Sequence, residues 1–417
     1  MKDFFSVLKN KNFLCLWVSQ IVSQFGDRLT QMALIALMNK RAPGSTLNLA
    51  KLLSFTIIPV FLVGPLAGVF VDRYSRRKTM IISDILRGLC ILVIPLYFMN
   101  VKDKILPIYI AVFLSYAVTR FFLTSKLSII PDLVSADKLL AANSLSSTTA
   151  MIAAVLGFGI GGVLVETVGI KGGFYIDSFS FFISAVMISL IGIKELNSFL
   201  NHNHAAGKGK TSIRKELCDG LRYIVTKPKI LFSAGILFLL MSGVGSVYVI
   251  IIVFIQQVLG SATKHLGFLV MFLGAGMFLG SVIYGGFGSR FSKIKTIFFS
   301  LILCGLLTVS FAVIVTLFPY FVIAGLLAFF IGLATSPIAI TCNTLLHEVI
   351  PNEMRGKVFS SLEIITHIAF LSFMFISAAI GEHVDKMWIL IVAGAVFSVF
   401  GVLGLTLFKL KYEKIKL

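Results

Sequence analysis

Four polar side chains recur at helical spacing in an otherwise apolar stretch near the N-terminus of this 417-residue chain. They are Gln20, Gln24, Asp27 and Gln31, which lie 4, 3 and 4 residues apart. At about 100° per residue they fall within roughly 60° on one face of a helix. In a membrane helix such a face either lines a cavity, because exposure to lipid is costly, or forms hydrogen bonds between helices. The carboxyl group of Asp27 favours the cavity, so we predict that these residues line the pathway of a substrate or proton.

A second group that could carry a proton lies towards the C-terminus. Glu363 and His367 are four residues apart, which places them on one face of a helix. A carboxyl group and an imidazole that share a buried site can titrate near neutral pH, and so take up and release a proton. The alternative interpretation is a static hydrogen-bonded pair near the end of a helix.

Three further charged residues lie inside apolar stretches or close to their ends. Arg28 follows Asp27 but points about 100° away from it, so the two are not expected to pair. Arg120 lies within a span and joins the candidate pathway residues. Asp177 falls near the start of another span, where a carboxylate is expected to cap a helix.

The sequence contains no catalytic motif of a common enzyme class. HExxH, GxSxG and GxxxxGK followed by Ser or Thr are all missing, so we expect neither an enzyme nor a cofactor or ATP site. The five cysteines are scattered and none forms a CxxC pair, which indicates reduced thiols. His202 and His204 could hold a metal ion, but two histidines alone make a poor site, and no metal is predicted.

These candidates belong to a chain that is 58% hydrophobic and only 13% charged, with a mean hydropathy of +0.98. A water-soluble domain could not keep that much apolar surface from solvent. Apolar stretches of about 20 residues, the length needed to cross a bilayer, predict an all-α membrane protein with twelve transmembrane helices. The stretches cover residues 12–38, 47–71, 79–98, 106–126, 143–166, 173–193, 229–256, 265–288, 296–316, 318–343, 357–381 and 387–409.

The net charge of +19 raises the question of a nucleic-acid partner, which the positions of the charges exclude. If the N-terminus is cytoplasmic and the spans alternate, 27 Lys and Arg residues lie inside, five of them around 73–87, and eight lie outside. Arg28 and Arg120 lie within spans and complete the set. This positive-inside distribution predicts cytoplasmic N- and C-termini, and contact with anionic lipid headgroups.

One long polar segment divides the chain. Residues 194–228 are rich in Lys and Arg and are interpreted as a cytoplasmic linker, part of which, roughly 211–226, could form an amphipathic helix on the membrane surface. The linker separates an N-terminal six-helix bundle, residues 1–193, from a C-terminal six-helix bundle, residues 229–417. A motif that returns after 217 residues indicates that the bundles are related by duplication.

That motif is a cationic loop between the second and third spans. It reads Gly68-x-x-x-Asp72-Arg73-x-x-Arg76-Arg77-Lys78, and a weaker copy runs from Gly285 through Ser289 and Arg290 to Lys295. The loop closely resembles the signature loop of the major facilitator superfamily, and the resemblance covers essentially the whole chain. It implies two pseudo-symmetric six-helix bundles that rock around a central binding site.

The resemblance also implies a cytoplasmic gate, with roles for Gly68, Asp72, Arg73, Arg76, Arg77 and Arg290. Gly68 would permit tight contact between helices, and Asp72 would face the N-terminal end of helix 11, where the helix dipole favours a carboxylate. The arginines would pair with acidic groups and lipid phosphates. The alternative is that the loop only sets the topology.

The fifth span contains a glycine-rich stretch, Gly157-Phe158-Gly159-Ile160-Gly161-Gly162. It resembles the antiporter motif of the same superfamily, with Phe158 in place of proline. Gly157, Gly161 and Gly162 would let helices approach closely in either case. Two other segments, Ile130-Pro131-Asp132 and Phe174-Tyr175-Ile176-Asp177, resemble the bacterial efflux branch that includes macrolide and enterobactin exporters.

Together these features predict a proton-driven secondary exporter of a small amphipathic compound, acting as a monomer in the bacterial cytoplasmic membrane. Two alternatives stay open. One is a lysophospholipid or siderophore transporter of the same fold, because lysophospholipid transporters also carry Phe-Gly-Asp in the first helix, as in Phe25-Gly26-Asp27 here. The other is a non-transporting membrane sensor or scaffold, for which the short loops offer little partner surface.

Overall fold

The computed structural model describes residues 2–71, 73–98, 105–192, 213–261 and 263–411. Within these residues the secondary structure is helical and contains no β-strand, in agreement with the predicted all-α class. The helices are α1 (Lys2–Leu8), α2 (Lys11–Arg41), α3 (Thr46–Val71), α4 (Arg76–Val93), α5 (Leu106–Leu133), α6 (Leu139–Ser189), α7 (Ile213–Thr226), α8 (Pro228–Leu259), α9 (Lys264–Phe287), α10 (Lys293–Leu317), α11 (Phe321–Val349), α12 (Asn352–Gly381) and α13 (Lys386–Lys411). A π-helical turn, Ile94–Phe98, extends α4.

Ten helices of the described residues are long and apolar enough to cross a membrane, so the protein is a multi-pass membrane protein. They are α3 to α6 and α8 to α13. Helix α2 has 31 residues but carries the polar stripe. Helix α6 is counted once, although Gly169 interrupts its 51 residues. Gly169 has a φ of +80°, a backbone conformation that suits glycine. The twelve-span count therefore remains a prediction.

By their internal contacts the residues form two compact units. The first unit contains Met1–Arg41 and Lys51–Gly209, and the second contains Ala42–Ala50 and Lys210–Leu417. The first turn of α3 thus belongs to the second unit, and the rest of that helix belongs to the first. The predicted bundle boundaries, at 193–194 and 228–229, remain predictions.

In the first unit, α2 packs along α6 through small residues and hydrogen bonds. The indole N–H of Trp17 donates to Thr149 Oγ1 over 2.8 Å. A Cβ at Gly157 would lie 2.8 Å from Arg28 Cγ, so this glycine has the packing role that small residues play between membrane helices. The other two glycines of that stretch, Gly161 and Gly162, are buried on the same helix.

In the second unit, α9 packs against α11 by the same means. A Cβ at Gly276 would lie 1.9 Å from the carbonyl oxygen of Phe329, and one at Gly332 would lie 2.1 Å from that of Leu273. Neither position can take a side chain unless the two backbones separate. The second unit is therefore also held by direct backbone contact between helices.

One ion pair occurs at equivalent places in both units. Arg76, at the start of α4, pairs with Asp132 near the end of α5 over 2.7 Å. Lys293, 217 positions after Arg76, begins α10 and pairs with Glu348 near the end of α11. The repeated pair is a structural counterpart of the duplication that the sequence predicts.

The start of α3 is capped by a carboxylate within the second unit. The N–H of Leu47 donates to Glu382 Oε1 over 2.7 Å, and the hydroxyl groups of Ser45 and Thr46 lie 2.9 and 3.3 Å from the same oxygen. Partial burial by itself would raise the pKa of Glu382. The hydrogen bonds from these three residues and the charge of Lys386 outweigh it, so the pKa is lowered below its usual value. A carboxylate is also favoured here by the dipole of α3.

We expect Glu382→Gln to lower the thermal stability of the purified protein slightly at pH 7. An exposed carboxylate at a helix N-terminus contributes about 0.5 kcal/mol after solvent screening, or a shift of about 1–2 °C in melting temperature. Because the folded-state pKa is depressed, the contribution is present above the unfolded pKa of about 4.5 and disappears as the pH falls through the folded value. Melting curves of both proteins at pH 7 and pH 3 test this, and a stability difference that is undiminished at pH 3 would contradict the charge-based account.

Candidate functional site

One guanidinium and three carboxyl groups meet inside the first unit, and we call Asp27, Asp84, Arg87 and Asp177 the charge cluster. Arg87, in the middle of α4, donates from Nη2 to both carboxylate oxygens of Asp27 on α2, over 2.8 and 3.0 Å. Its Nη1 donates to Asp84 Oδ1, one helical turn earlier, over 3.1 Å. Asp177, on the part of α6 that follows Gly169, accepts a hydrogen bond from Thr30 of α2. The cluster therefore joins three helices.

Hydroxyl groups satisfy the remaining carboxylate oxygens. Ser184 Oγ donates to Asp84 Oδ2 over 2.5 Å. Thr30 Oγ1 donates to Asp177 Oδ2, and Ser180 Oγ lies 3.3 Å from Asp177 Oδ1. Polar groups inside a protein are tolerated when they are hydrogen-bonded, and these hydroxyls supply the bonds that the single cation cannot.

Aromatic rings cover the guanidinium of Arg87. Its Cζ lies 3.9 Å from the ring centre of Phe181 and 5.4 Å from that of Phe122, within the range of a cation–π interaction. The Arg87 and Asp84 side chains are buried, whereas the Asp27 side chain is 27% exposed. Of these three side chains, that of Asp27 is thus the one accessible from outside the cluster. The Nε of Arg87 has no hydrogen-bond partner among the described residues.

Two glycines permit this close approach of helices. A Cβ at Gly26 would lie 2.2 Å from both Asp177 Oδ1 and Ser180 Oγ, so α2 meets α6 only because residue 26 lacks a side chain. A Cβ at Gly88 would lie 3.2 Å from the carbonyl oxygen of Ser178, and Ser178 Oγ in turn donates to Gly88 O over 2.8 Å. Each glycine is the direct sequence neighbour of a charged cluster residue.

The charges of the cluster do not balance. Three carboxyl groups surround one guanidinium, and among the described residues no ion pair includes Asp177. Full ionisation would leave two negative charges uncompensated inside a membrane protein, which costs several kcal/mol per ion. The geometry therefore suits a site that holds a proton on one carboxyl group.

The described residues of the second unit hold no corresponding cluster. Counting 217 positions onward from the four charged residues gives Val244, Leu301, Cys304 and Gly394. Leu301 and Cys304 belong to the buried apolar core of that unit. The cluster is therefore a property of one unit.

Sequence reasoning finds only part of the cluster. Asp27 is predicted as a pathway residue, whereas Asp84 is overlooked and Arg87 is counted with the basic loop around 73–87. That count is wrong, because Arg87 is buried within α4. The expected helix-capping role of Asp177 is also wrong, because this residue lies inside α6 and accepts from Thr30. An Asp and an Arg three residues apart in an apolar span are the signal that could have located the pair.

The structure divides the predicted polar stripe of α2. Gln20 is buried and its Nε2 donates to the carbonyl oxygen of Ser146 on α6 over 2.9 Å, so it acts as a link between helices. Gln31 accepts a hydrogen bond from Arg28 over 2.8 Å. Gln24 is half-buried. Within the stripe, Asp27 alone belongs to the charge cluster.

The other predicted pathway residues lie elsewhere. Arg120 is half-buried on α5 of the first unit. Glu363, on α12 of the second unit, lines a cavity of about 440 Å³ together with Leu237 and Met241 of α8. His367 Nδ1 lies 2.8 Å from the backbone carbonyl oxygen of Glu363. The two residues lie one turn apart on α12, and their role in proton coupling remains a prediction.

A larger cavity borders the charge cluster. It has a volume of about 890 Å³ and lies between α2 and α6 of the first unit. Its walls are mainly apolar and include Phe25, Phe179 and Phe182, and they also include Gly26 and Ser180, which contact Asp177 as described above. An apolar cavity thus lies directly beside a buried group of carboxyls.

The structure describes only some of the predicted gate residues. Asp72 lies outside the described residues. Arg73 is exposed at the turn before α4. At Gly68 a Cβ would meet nothing within 4 Å among the described residues, so the tight helix contact expected at this glycine does not occur in this structure.

The remaining arginines of the loop and its copy contact residues within their own units. Arg76 pairs with Asp132, as noted above. Arg77 donates from Nε to the carbonyl oxygen of Ile188 over 3.3 Å and from Nη2 to that of Ser189. Arg290 lies over the ring of Phe287, 5.5 Å from its centre. Arg76 and Arg77 thus join the start of α4 to neighbouring helices, and Arg290 contacts the last residue of α9.

Comparison with known proteins gives a consistent family. The Major Facilitator Superfamily matches residues 16–362. Macrolide efflux protein A of Streptococcus pyogenes is 24% identical over 390 residues, covering 91% of this chain and 92% of that protein. Multidrug efflux pump Tap of Mycolicibacterium fortuitum is 24% identical over 326 residues, or 76% of each chain. The crystal structure of nucleoside transporter NupG is similar in fold, with a TM-score of 0.74 at 12% identity over 95% of this chain and 99% of that one.

We expect Gly26→Ala to disrupt the charge cluster. The new methyl group would overlap Asp177 and Ser180, so α2 must move away from α6, at a cost of about 1–3 kcal/mol. Gly64→Ala on α3 is the matched control, since a Cβ there meets nothing within 4 Å of the described residues, and its effect should stay within about 0.5 kcal/mol. Melting temperatures of the two purified variants compare them, and equal stability would contradict the close contact at Gly26.

Proposed function

Because the chain belongs to the Major Facilitator Superfamily, we propose that it is a secondary active transporter that exports a small amphipathic compound in exchange for protons. In this proposal it has twelve spans, both termini lie in the cytoplasm of a bacterium, and a monomer works by alternating access. The names of two relatives, a macrolide efflux protein and a multidrug efflux pump, support the direction of transport.

The observation that carries the proposal is the excess of carboxyl groups in the charge cluster. Asp27 and Asp84 share one guanidinium, and Asp177 is held by hydroxyl groups. A proton bound here reduces the uncompensated negative charge. Apolar surroundings therefore favour proton binding, and aqueous surroundings favour proton release. Asp27 is partly exposed, and in this proposal its side chain is where protons enter and leave the cluster.

Protonation of Asp27 would change more than its own charge. The neutral carboxyl group holds Arg87 less strongly, because a charge-assisted hydrogen bond is about twice as strong as a neutral one. Arg87 then relies on Asp84 within its own helix α4, and the link from α4 to α2 weakens. Proton binding is thereby coupled to the packing of two helices, which is the kind of coupling that an exchanger needs.

The cavities support an amphipathic substrate. The apolar cavity beside the cluster provides about 890 Å³, within the usual size of a site for a small molecule. In the second unit, Glu363 provides one exposed carboxylate among apolar side chains. A partly hydrophobic compound with a polar or cationic group fits both settings.

A lysophospholipid transporter is the second candidate. The apolar walls formed by Phe25, Phe179 and Phe182 would also accommodate an acyl chain. This alternative shares the fold and the cluster but differs in cargo, so a transport assay with each class of compound separates the two.

We expect Asp27→Asn to abolish the response of transport to a proton gradient. Uptake of a radiolabelled macrolide into inverted proteoliposomes is measured with and without an imposed pH gradient. The gradient should accelerate the unmodified protein and not the variant, with a loss of about tenfold or more, since coupling of 1–3 kcal/mol corresponds to 5–150-fold. Asp385→Asn, at an exposed carboxylate between α12 and α13, is the matched control and should behave like the unmodified protein.

Two outcomes would contradict the proposal. If the gradient accelerates the Asp27→Asn variant as strongly as the unmodified protein, the cluster does not couple protons to transport. If the reconstituted protein moves a fluorescent lysophospholipid but neither a macrolide nor a cationic dye, the lipid alternative replaces the exporter.

A further inference from the structure

Helix α7, Ile213–Thr226, uses one face to dock on α12. Gly220 sits so close to α12 that a Cβ would lie 2.4 Å from the carbonyl oxygen of Lys357. Ser361 Oγ donates to Leu217 O over 3.2 Å, and Lys357 Nζ pairs with Asp219 over 3.2 Å. These contacts fix both the rotation and the position of α7.

The contacts place α7 at the boundary of the membrane. It ends at Thr226, and the apolar span α8 begins at Pro228, so a single residue separates the two helices. Its partners on α12 are Lys357 and Ser361, close to the start of that span at Asn352. A helix that docks at the ends of two membrane spans must lie at the level of the lipid headgroups.

The opposite face of α7 is apolar and exposed. Cys218, Leu221 and Val225 are three and four residues apart, so they form one row on the helix. Leu221 is 41% exposed and Val225 is 66% exposed. Cys218 is an exposed free thiol. The docked face of α7 cannot bury this row, because Gly220 and Ile224 occupy that side.

Basic residues accompany the apolar row. Between 213 and 229 the chain carries five Lys and Arg residues against two acidic ones, and one of the acids, Asp219, is paired with Lys357. Arg222 lies beside the row and is exposed, and Lys229 is exposed just beyond the helix. An apolar row with adjacent cations is the pattern by which a helix lies in an anionic membrane surface.

We propose that the exposed face of α7 binds an anionic lipid surface, with Cys218, Leu221 and Val225 among the upper acyl chains and Arg222 and Lys229 at the headgroups. The opposite face grips α12, the helix that carries Glu363. Anionic lipid therefore fixes the position of α12 relative to the bilayer. This inference concerns a surface of the chain and does not rest on the transport function proposed above.

The test uses the full chain with Cys218 as its single thiol. The other cysteines, Cys15, Cys90, Cys304 and Cys342, are replaced by Ala, and Cys218 is labelled with bimane. The protein is placed in nanodiscs of phosphatidylcholine with or without phosphatidylglycerol, each containing a lipid with a nitroxide high on its acyl chain. We expect the nitroxide lipid to quench the label, and anionic lipid to increase the quenching about twofold.

Two pairs of substitutions check the role of charge. Arg222→Gln with Lys229→Gln should remove the increase caused by phosphatidylglycerol. Lys9→Gln with Lys295→Gln, at exposed basic residues outside α7, removes the same charge and should leave the increase intact. Equal losses in both variants would show that net charge, and not this helix face, attracts the lipid, and would overturn the proposal.

The label itself distinguishes the other possible occupants. If iodide in the water quenches it and the nitroxide lipid does not, the face of α7 is free in solvent. If neither quencher reaches it, protein covers the face, from this chain or from a second copy. Either result would overturn the assignment to lipid.

Discussion

A guanidinium that is buried within a membrane protein must be matched by carboxyl groups, and this requirement organises the first unit. Arg87 can remain charged because Asp27 reaches it from α2 and Asp84 from its own helix. The match requires close helices, and Gly26 and Gly88 provide the space next to the charged residues. Aromatic rings then exclude water from the guanidinium. Charge, glycine packing and aromatic cover thus depend on one another.

The second unit has a comparable helical packing without a buried guanidinium at the equivalent position. Its equivalent positions hold Leu301 and Cys304, which pack in an apolar core. It keeps the ion pair at the helix ends, Lys293 with Glu348, and it keeps contacts between glycine-bearing helices. The fold therefore does not need the cluster. A costly feature that the fold can do without is most simply explained by function.

The sequence predicts the spans better than it predicts the site, for a physical reason. Length and apolarity are local properties, so the all-α membrane class and the Asp27 face can be read directly. The partner of Asp27 depends on how α2, α4 and α6 pack, which spacing along one helix does not reveal. Arg87 is misread because its position in the sequence groups it with the basic loop, although it lies in the middle of α4. Asp177 is misread because the helix resumes directly after Gly169, so this residue lies inside the helix and not at its first turn.

The buried pair also bears on how the chain enters the membrane during synthesis. Placing an arginine or an aspartate at the centre of an isolated span costs about 2.5–3.5 kcal/mol, and α4 carries both. Helix α2 precedes α4 along the chain, so Asp27 is synthesised before Arg87. The bonds from Thr30 to Asp177 and from Ser184 to Asp84 form later, because Asp177 and Ser184 both lie on α6. Biogenesis therefore has a natural order, in which the first polar contact assists the insertion of α4 and the arrival of α6 completes the remaining bonds.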